Sequence, residues 1–181
     1  DIARRRGARI VRDDSRNLAR IRNAGARAAT GDILVTIDAD SRMSPNMLEE
    51  IRRALGSGRT IGGGVPIRPE RLSAGIILTG LFILLIVWLR GVRSAGLFWC
   101  RRADFEAIGG FDESVVIAED VDLARRLAAR GRTQGRPYRT LWRTHIVTSS
   151  RKFDRMGDWF LLRHPMMFLR ALRGKDQELG N

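Results

Sequence analysis

The chain has 181 residues, 44% of them hydrophobic and 29% charged, which is the composition of one folded domain and excludes a disordered chain. Its formal net charge of +13 suits anionic partners such as nucleic acid, phospholipid head groups or phosphorylated substrates. An ordinary solvated surface explains this charge equally well, because many arginines alternate with acidic residues. The single cysteine, Cys100, excludes an internal disulfide, so we expect a reducing, cytoplasmic compartment.

The hydrophobic pattern of the first half predicts helices that alternate with strands. The chain begins with the end of a helix, followed by a short strand at 8–11 and by a helix whose cap lies at 13–15. The continuous apolar run 33–37 is typical of a parallel strand covered on both faces. A helix at 47–55 and a glycine-rich strand within 60–67 follow.

The second half continues the alternation. Its predicted elements are an apolar helix at 72–89, a strand at 96–100, helices at 103–108 and 119–130, an extended segment at 138–147, and a last helix at 155–172 with a bend at Pro165. Together they predict an α/β domain with a mostly parallel sheet flanked by helices. We expect a catalytic domain at 1–150, which includes the apolar helix, and a C-terminal helical extension at 151–181 that packs beside it.

Two carboxylates lie just past the end of the predicted strand at 33–37. Asp38 and Asp40 are one residue apart, so their side chains point the same way, at the position where open α/β sheets bind ligands. Their hard oxygen donors suit Mg²⁺ or Mn²⁺ carried with a diphosphate. A solvated turn after a strand has the same pattern, so this pair does not decide the function by itself.

A second group of carboxylates opens the helix at 119–130. Acidic residues in a first helical turn stabilise a helix by their interaction with its dipole. This helix begins with three carboxylates, Glu119, Asp120 and Asp122, which is a larger number than the dipole interaction requires. They follow a turn-rich loop at 109–113 that could carry them to a cleft. Further on, His145 and the hydroxyl and cationic side chains of 149–152 suit phosphate, although a surface loop has the same composition.

The ordered set of these motifs resembles family 2 glycosyltransferases from Asn17 to about Arg132. The matching segments are 22–25, 29–40, 96–102, 108–113 and 118–123. The resemblance implies an inverting enzyme with a GT-A fold, a nucleotide-sugar donor and a divalent metal. It also implies that the chain is incomplete at its N-terminus and lacks the first strands, because the family's opening strand with its Pro and Asn-Glu signature is absent.

The resemblance also implies roles for individual residues. Asp40 and Asp38 would bind the metal, and the acidic motif would lie on the acceptor side, with Asp120 as general base and Glu119 beside it. The residues implied to contact the donor are Asp38, Asn23, His145 and Arg151. The Gln-x-x-Arg-Trp motif of processive synthases is absent, which argues against a processive polymerase.

Two alternatives remain open at this point. A basic nucleic-acid-binding domain would explain the charge, but the sequence has no helix-turn-helix, zinc or stacking signature, so we expect no nucleic-acid partner. A non-catalytic remnant of a glycosyltransferase would keep the acidic motifs without a complete donor site. The sequence leaves the acceptor open between a lipid-linked molecule and a glycan.

The uncharged run 72–89 lies at the lower length limit of a membrane span. Arginines flank it on both sides, namely Arg68, Arg71, Arg90 and Arg93. A single crossing would place Asp38 and Asp120 on opposite faces of a bilayer, which is incompatible with one active site. We therefore expect a helix that is buried in the core, lies at a dimer interface, or docks peripherally on the inner face of the cell membrane.

Overall fold

The structure is a computed structural model that describes residues 2–89, 97–115 and 119–164. Its helices are α1 (Ile2–Arg5), α2 (Leu18–Ala28), α3 (Met47–Gly56), α4 (Ala74–Leu89), α5 (Arg102–Ala107), α6 (Glu119–Thr133), α7 (Arg151–Met156) and α8 (Phe160–Arg163). Its strands are β1 (Ile33–Thr36), β2 (Ser41–Met43), β3 (Gly62–Gly64), β4 (Ile67–Pro69), β5 (Phe98–Arg101), β6 (Tyr138–Thr140) and β7 (Ile146–Thr148).

The strands form two sheets, one of four strands in the order β1-β5-β3-β6 and one of three in the order β2-β7-β4. In the larger sheet β5 is antiparallel to β1 and to β3, whereas β3 and β6 are parallel. Strands β1, β3 and β6 therefore run in one direction and β5 lies reversed between them. The α/β class with flanking helices is confirmed, but each contact of β5 is antiparallel, a pairing that the sequence did not predict.

Strand β5 is the centre of the core because both of its faces are apolar. Phe98 and Cys100 point to a cluster under α2, α5 and α6, and Leu97 and Trp99 point to a second cluster under α3. Alternate residues of a strand face opposite sides of the sheet, so an uninterrupted apolar run supplies two layers at once. Helices on both faces are thereby fixed to the same strand.

The glycines of β3 let its neighbours approach closely. A Cβ at Gly63 would lie 1.7 Å from the carbonyl oxygen of Arg139 and 2.6 Å from Cζ2 of Trp99. The indole of Trp99 instead lies across the strand, and its Nε1 donates to the carbonyl oxygen of Gly64 at 3.3 Å. The glycine-rich sequence predicted a strand here. The structure shows that the absence of side chains makes room for the indole of Trp99 and the backbone of Arg139.

The segment before α2 differs from the prediction. Residues 8–11 form no strand, and Ile10 and Val11 are 41% and 43% exposed, because no described strand lies beside them. The cap of α2 is Asn17, whose Oδ1 accepts a hydrogen bond from the backbone N–H of Arg20 at 3.0 Å. The predicted cap at 13–15 was wrong, because the carboxylate of Asp13 is bonded to Ser15 within its own turn.

Strand β1 is an edge strand of the described sheet. It pairs with β5 on one side, and Leu34 is its single buried residue. The two faces of β1 do contact the core, since Leu34 packs in the cluster under α2, α5 and α6 and Ile33 and Val35 pack against the cluster under α3. The expectation of a parallel strand was wrong, because the one described pairing of β1 is antiparallel. Periodicity does not distinguish an apolar edge strand from a central one, since both have the same composition.

The C-terminal part is two short helices where one long helix was predicted. Helix α7 ends at Met156, and Gly157 follows with φ +85°, a left-handed conformation that favours glycine. The guanidinium of Arg71 donates to Asp154 and Asp158, each at 2.7 Å, which fixes both helices beside the start of α4. The predicted bend at Pro165 and the segment 165–181 lie outside the described residues.

Helix α4 confirms the predicted apolar helix and begins two residues later than predicted, at Ala74. Within the part of the chain that the structure describes, no helix is long and apolar enough to cross a bilayer. The flanking Arg90 and Arg93 lie outside the described residues.

We expect Gly63→Ala to lower the free energy of unfolding by roughly 3 kcal/mol, because a methyl group has no space beside Arg139 and Trp99. Gly56→Ala is the matched control, since nothing lies within 4 Å of its added Cβ. It should leave stability within about 0.5 kcal/mol of the parent protein or raise it slightly. Urea denaturation of both variants measures the difference, and equal midpoints would contradict the close approach at β3.

Candidate active site

One guanidinium joins the two predicted acidic motifs. Arg22, on α2, donates from Nη2 to Oδ1 of Asp38 at 2.7 Å and from Nη1 to Oε1 of Glu119 at 2.5 Å. Its Cζ lies 5.4 Å from the centre of the Phe111 ring, and its side chain is 17% exposed. The guanidinium of Arg22 thus holds the end of β1 and the start of α6 together. In the sequence Arg22 lies in a matching segment, but no role was predicted for it.

The second carboxylate of the pair faces another partner. Asp40 lines a cavity of about 260 Å³ together with Thr148, Ser149 and Arg151. Its carbonyl oxygen accepts a hydrogen bond from the backbone N–H of Ser149 at 3.1 Å, which attaches the end of β1 to the end of β7. The structure therefore places the predicted Asp40 and Arg151 on one cavity, which the hydroxyl-bearing residues Ser41, Thr148 and Ser149 also line.

His145 lies at the other end of β7. Its backbone exchanges hydrogen bonds with Ser44, whereas Ser149 follows the opposite end of the strand. Met43 pairs with Ile146 and Ser41 with Thr148, so His145 lies beyond the far end of this ladder from Asp40. Of the two residues predicted at the diphosphate, Arg151 lines the cavity and His145 does not.

The candidate donor groups for a divalent cation are the carboxylates of Asp38 and Asp40. Within the described residues there is no group of three or more His, Cys, Asp or Glu side chains that could hold a metal ion. Magnesium is usually held by one or two carboxylates together with substrate phosphates. This donor set fits a cation that arrives with a diphosphate, and it does not fit one held by protein ligands alone.

The two acidic residues that open α6 have raised pKa values. Burial is the main cause of the raised pKa of both Glu119 and Asp120, and the negative charge of Asp38 adds to it. Arg22 opposes this rise in both residues, and the backbone N–H of Val121, 2.7 Å from Oδ1 of Asp120, opposes it further at Asp120. A carboxyl group with a raised pKa is a better proton acceptor at neutral pH than an exposed aspartate.

A partly buried tyrosine whose hydroxyl is buried lies near this pair and was not predicted from the sequence. The hydroxyl of Tyr138, on β6, has no hydrogen-bond partner among the described residues. Burial raises its pKa, and the charges of Asp120 and Cys100 add to the rise. Because a lone tyrosine in a short strand is ordinary core composition, the sequence held no signal for it.

Asn23 has a structural role in the described residues, although it was predicted to contact the donor. Its Nδ2 donates to the carbonyl oxygen of Phe111 and to Oε1 of Glu113, and its Oδ1 accepts from the backbone N–H of Phe111, each at 2.9 Å. The amide is therefore engaged by the loop before α6. Gly110 has φ +71°, and a Cβ there would lie 2.7 Å from Oδ1 of Asn23, so glycine is required.

A second side chain fixes the same loop from the opposite side. Arg126, on α6, donates from Nη1 to the carbonyl oxygens of Ile108 and Gly110, both at 2.7 Å, and from Nε to Asp122. The loop is thus held by α2 through Asn23 and by α6 through Arg126. The third carboxylate of the predicted motif, Asp122, is paired with this arginine.

With this geometry in place, comparison with known proteins identifies the class. A family model described as Glycosyl transferase family 2 matches residues 1–108, and the chain belongs to this family. The match contains Arg22, Asp38 and Asp40 and ends before Glu119.

Among solved structures, the chain is similar to that of GalNAc-T7 with UDP, GalNAc and Mn²⁺, with a TM-score of 0.58 and 15% sequence identity. The similarity covers 82% of this chain and 33% of that chain, so this chain spans about a third of its length. It shows a GT-A-like fold. No curated protein matches the chain.

We expect Arg22→Met to lose about 2 kcal/mol more stability at neutral pH than near pH 3.5, because the cation binds the ionised forms of Asp38 and Glu119. The pKa of Glu119 is already raised by burial, so losing Arg22 raises it further. The folded variant then binds more protons than its unfolded chain, and its stability falls as pH rises through this pKa.

The matched control is Arg20→Met, on the same helix. Arg20 lies 3.8 Å from Glu113 with both side chains well exposed, so its loss should change stability by less than about 1 kcal/mol at either pH. Urea denaturation at the two pH values measures both variants. A pH-independent loss at Arg22 would show that the residue acts by packing on Phe111 alone.

Proposed function

We propose that this chain transfers a sugar from a nucleotide-sugar donor to an acceptor hydroxyl with inversion, and that Asp120 is the general base. The observation that carries the proposal is the Arg22 bridge, which places the carboxylate motif after β1 and the carboxylate motif of α6 around one cation. Membership of glycosyl transferase family 2 supports the reaction class.

The proposed proton acceptor is the side chain of Asp120. Burial removes water from this carboxylate and thereby raises its pKa, so its affinity for a proton increases. The acceptor hydroxyl gives its proton to Asp120 while its oxygen attacks the anomeric carbon opposite the leaving diphosphate. A single displacement of this kind inverts the anomeric centre. Glu119 is paired with Arg22 and would keep the start of α6 in place during the reaction.

The proposed donor site lies at the end of β1. Asp38 and Asp40 would hold a divalent cation, Mg²⁺ or Mn²⁺, which neutralises charge on the leaving diphosphate when bound. Arg151 and the hydroxyls of Thr148 and Ser149 line the cavity beside Asp40 and have the chemistry that binds phosphate oxygens. The similar structure of GalNAc-T7 contains UDP and Mn²⁺, which supports a nucleoside diphosphate and a divalent cation here as well.

We expect Asp120→Asn to lower turnover by about 10²–10⁴-fold, because the amide keeps the size of the side chain but cannot accept the proton. Release of nucleoside diphosphate from a panel of nucleotide-sugars measures turnover. In the parent protein, activity should fall on the acid side with an apparent pKa above that of an ordinary aspartate, and the variant should lack this limb.

Asp122→Asn is the matched control on the same helix turn, since Asp122 pairs with Arg126, whereas Arg22 pairs with Asp38 and Glu119. It should keep the acid limb and most of the turnover. If Asp120→Asn weakened UDP binding and preserved turnover, Asp120 would be a donor ligand and the assignment of the base would be wrong.

We expect Asp40→Asn to weaken UDP binding in the presence of Mn²⁺ by tenfold or more and to leave the weak metal-free binding nearly unchanged, because the carboxylate acts through the cation. Isothermal titration calorimetry of UDP, with and without Mn²⁺, measures the metal-dependent and the metal-free affinity. Asp32→Asn, which changes a carboxylate before the start of β1, is the control. A parent protein that binds UDP equally well in excess chelator would contradict the metal assignment.

A further inference from the structure

The outward face of α4 is apolar along its described length. Five large side chains on this face are about half exposed, and they are Ile77 (48%), Leu78 (47%), Leu81 (56%), Leu84 (57%) and Leu85 (52%). Their spacing places them on one stripe of the helix. On the opposite side Ile76 and Thr79 are buried and Ile83 packs on the core. We call these five side chains the α4 stripe.

A helix that packs on a core normally presents polar residues to water. Helix α3 follows this rule, because its outward positions include Glu49, Arg52 and Arg53. Helix α4 contains no charged residue, which is the composition of a buried helix. One of its faces is nevertheless exposed, as in a surface helix. An exposed apolar stripe of this extent indicates an interaction surface.

The apolar surface continues past the start of α4. Leu72 is 69% exposed, and Trp159 is 43% exposed. The turn that carries Trp159 lies against the helix, because a Cβ at Gly75 would lie 2.7 Å from the carbonyl oxygen of Asp158. Arg71 and Ser73 bond the carboxylate of Asp158 and lower its pKa to about 2, so this attachment stays ionised over the physiological range.

Four exposed cations lie on the elements that adjoin this end of the stripe. Arg68 lies on β4, Lys152 and Arg155 on α7, and Arg163 on α8, and all four are exposed. None of them forms an ion pair with a carboxylate within 2–89, 97–115 and 119–164. Exposed apolar side chains bordered by cations and by a tryptophan match the interface of an anionic bilayer, where acyl chains lie below acidic head groups.

We propose that the α4 stripe, with Leu72 and Trp159, docks on the surface of an anionic phospholipid membrane and that α4 lies parallel to that surface. The helix spans about 24 Å, which suits a position in the interface. A second copy of the chain is a poorer partner, because a two-fold contact would bring the same cations face to face. The proposal does not depend on the metal or on the base.

The active-site geometry explains why the helix lies flat. Asp38 precedes α4 in the sequence and Glu119 follows it, yet both bind the guanidinium of Arg22. A single crossing of α4 through a bilayer would separate these two carboxylates. Docking by one face keeps them together and places the site beside the membrane surface.

Vesicle flotation tests the proposal with the full 181-residue chain. The probes are vesicles of phosphatidylcholine and phosphatidylglycerol at about 7:3 and vesicles of phosphatidylcholine alone. The parent protein should float with the mixed vesicles and bind the neutral ones far more weakly. The triple variant Leu78→Gln, Leu81→Gln, Leu85→Gln should lose this binding by tenfold or more.

The matched control changes three exposed apolar residues away from α4, namely Ile10→Gln, Val11→Gln and Leu48→Gln. This control should float like the parent protein. Both variants should keep the thermal unfolding midpoint and the UDP binding of the parent, because the changed side chains lie at the surface. A variant that lost UDP binding would bear on the donor site only. The flotation result would still decide whether the α4 stripe binds the membrane.

Three outcomes would overturn the proposal. Equal flotation of the α4 variant and the parent would show that the stripe is not the contact. A parent protein that is dimeric without lipid, and becomes monomeric in the α4 variant, would assign the stripe to a second copy. A parent protein that floats only after removal of 165–181 would show that the chain's own C-terminal segment covers the stripe.

Discussion

The site depends on one ionic contact, between the guanidinium of Arg22 and the carboxylates of Asp38 and Glu119. Helix α2, strand β1 and helix α6 come from separate parts of the chain, and this cation is where all three meet. Because Glu119 is 6% exposed and desolvated, its ionised form requires a nearby positive charge. The neighbouring Asp120 lies in the same desolvated region and, among the residues that the structure describes, forms no ion pair, although the charge of Arg22 also lowers its pKa. The same arginine thereby fixes Asp38 and Glu119, and the proposed base is the carboxylate beside them.

The elements that carry the chemistry could be predicted from the sequence because their signals are local. The apolar run before Asp38 and the acidic start of α6 each lie within a few residues, and the order of the motifs identified the family. The central position of β5 could not be predicted, since strand order depends on pairings between distant segments. Arg22 was overlooked for a different reason. The chain has 33 lysines and arginines, so nothing in the sequence distinguishes Arg22 from the other cationic residues.

Asn23 and His145 show what a motif leaves open about the position of a side chain, and their contact with the donor stays a prediction. The amide of Asn23 is engaged by Phe111 and Glu113, so it acts on the site by holding the loop before α6. His145 precedes β7, whereas the cavity residue Ser149 follows it, so the two lie at opposite ends of the strand. A motif predicts which residues belong to a conserved region of a fold. It does not predict whether a side chain faces the ligand or the neighbouring backbone, because that depends on atoms supplied by other segments.

The contacts that build the site join residues far apart in the sequence. Asn23 and Phe111 are separated by 88 positions, and Arg22 and Glu119 by 97. Such contacts form only after long loops have closed, so the site should be among the last parts of the domain to fold. At ordinary translation rates the ribosome takes roughly 5–20 s to synthesise the chain between Arg22 and its second partner. During that interval the arginine and the edge strand β1 are present without α6, so Leu34 and Ala19 lack the apolar side chains of α6 that later pack in the same cluster.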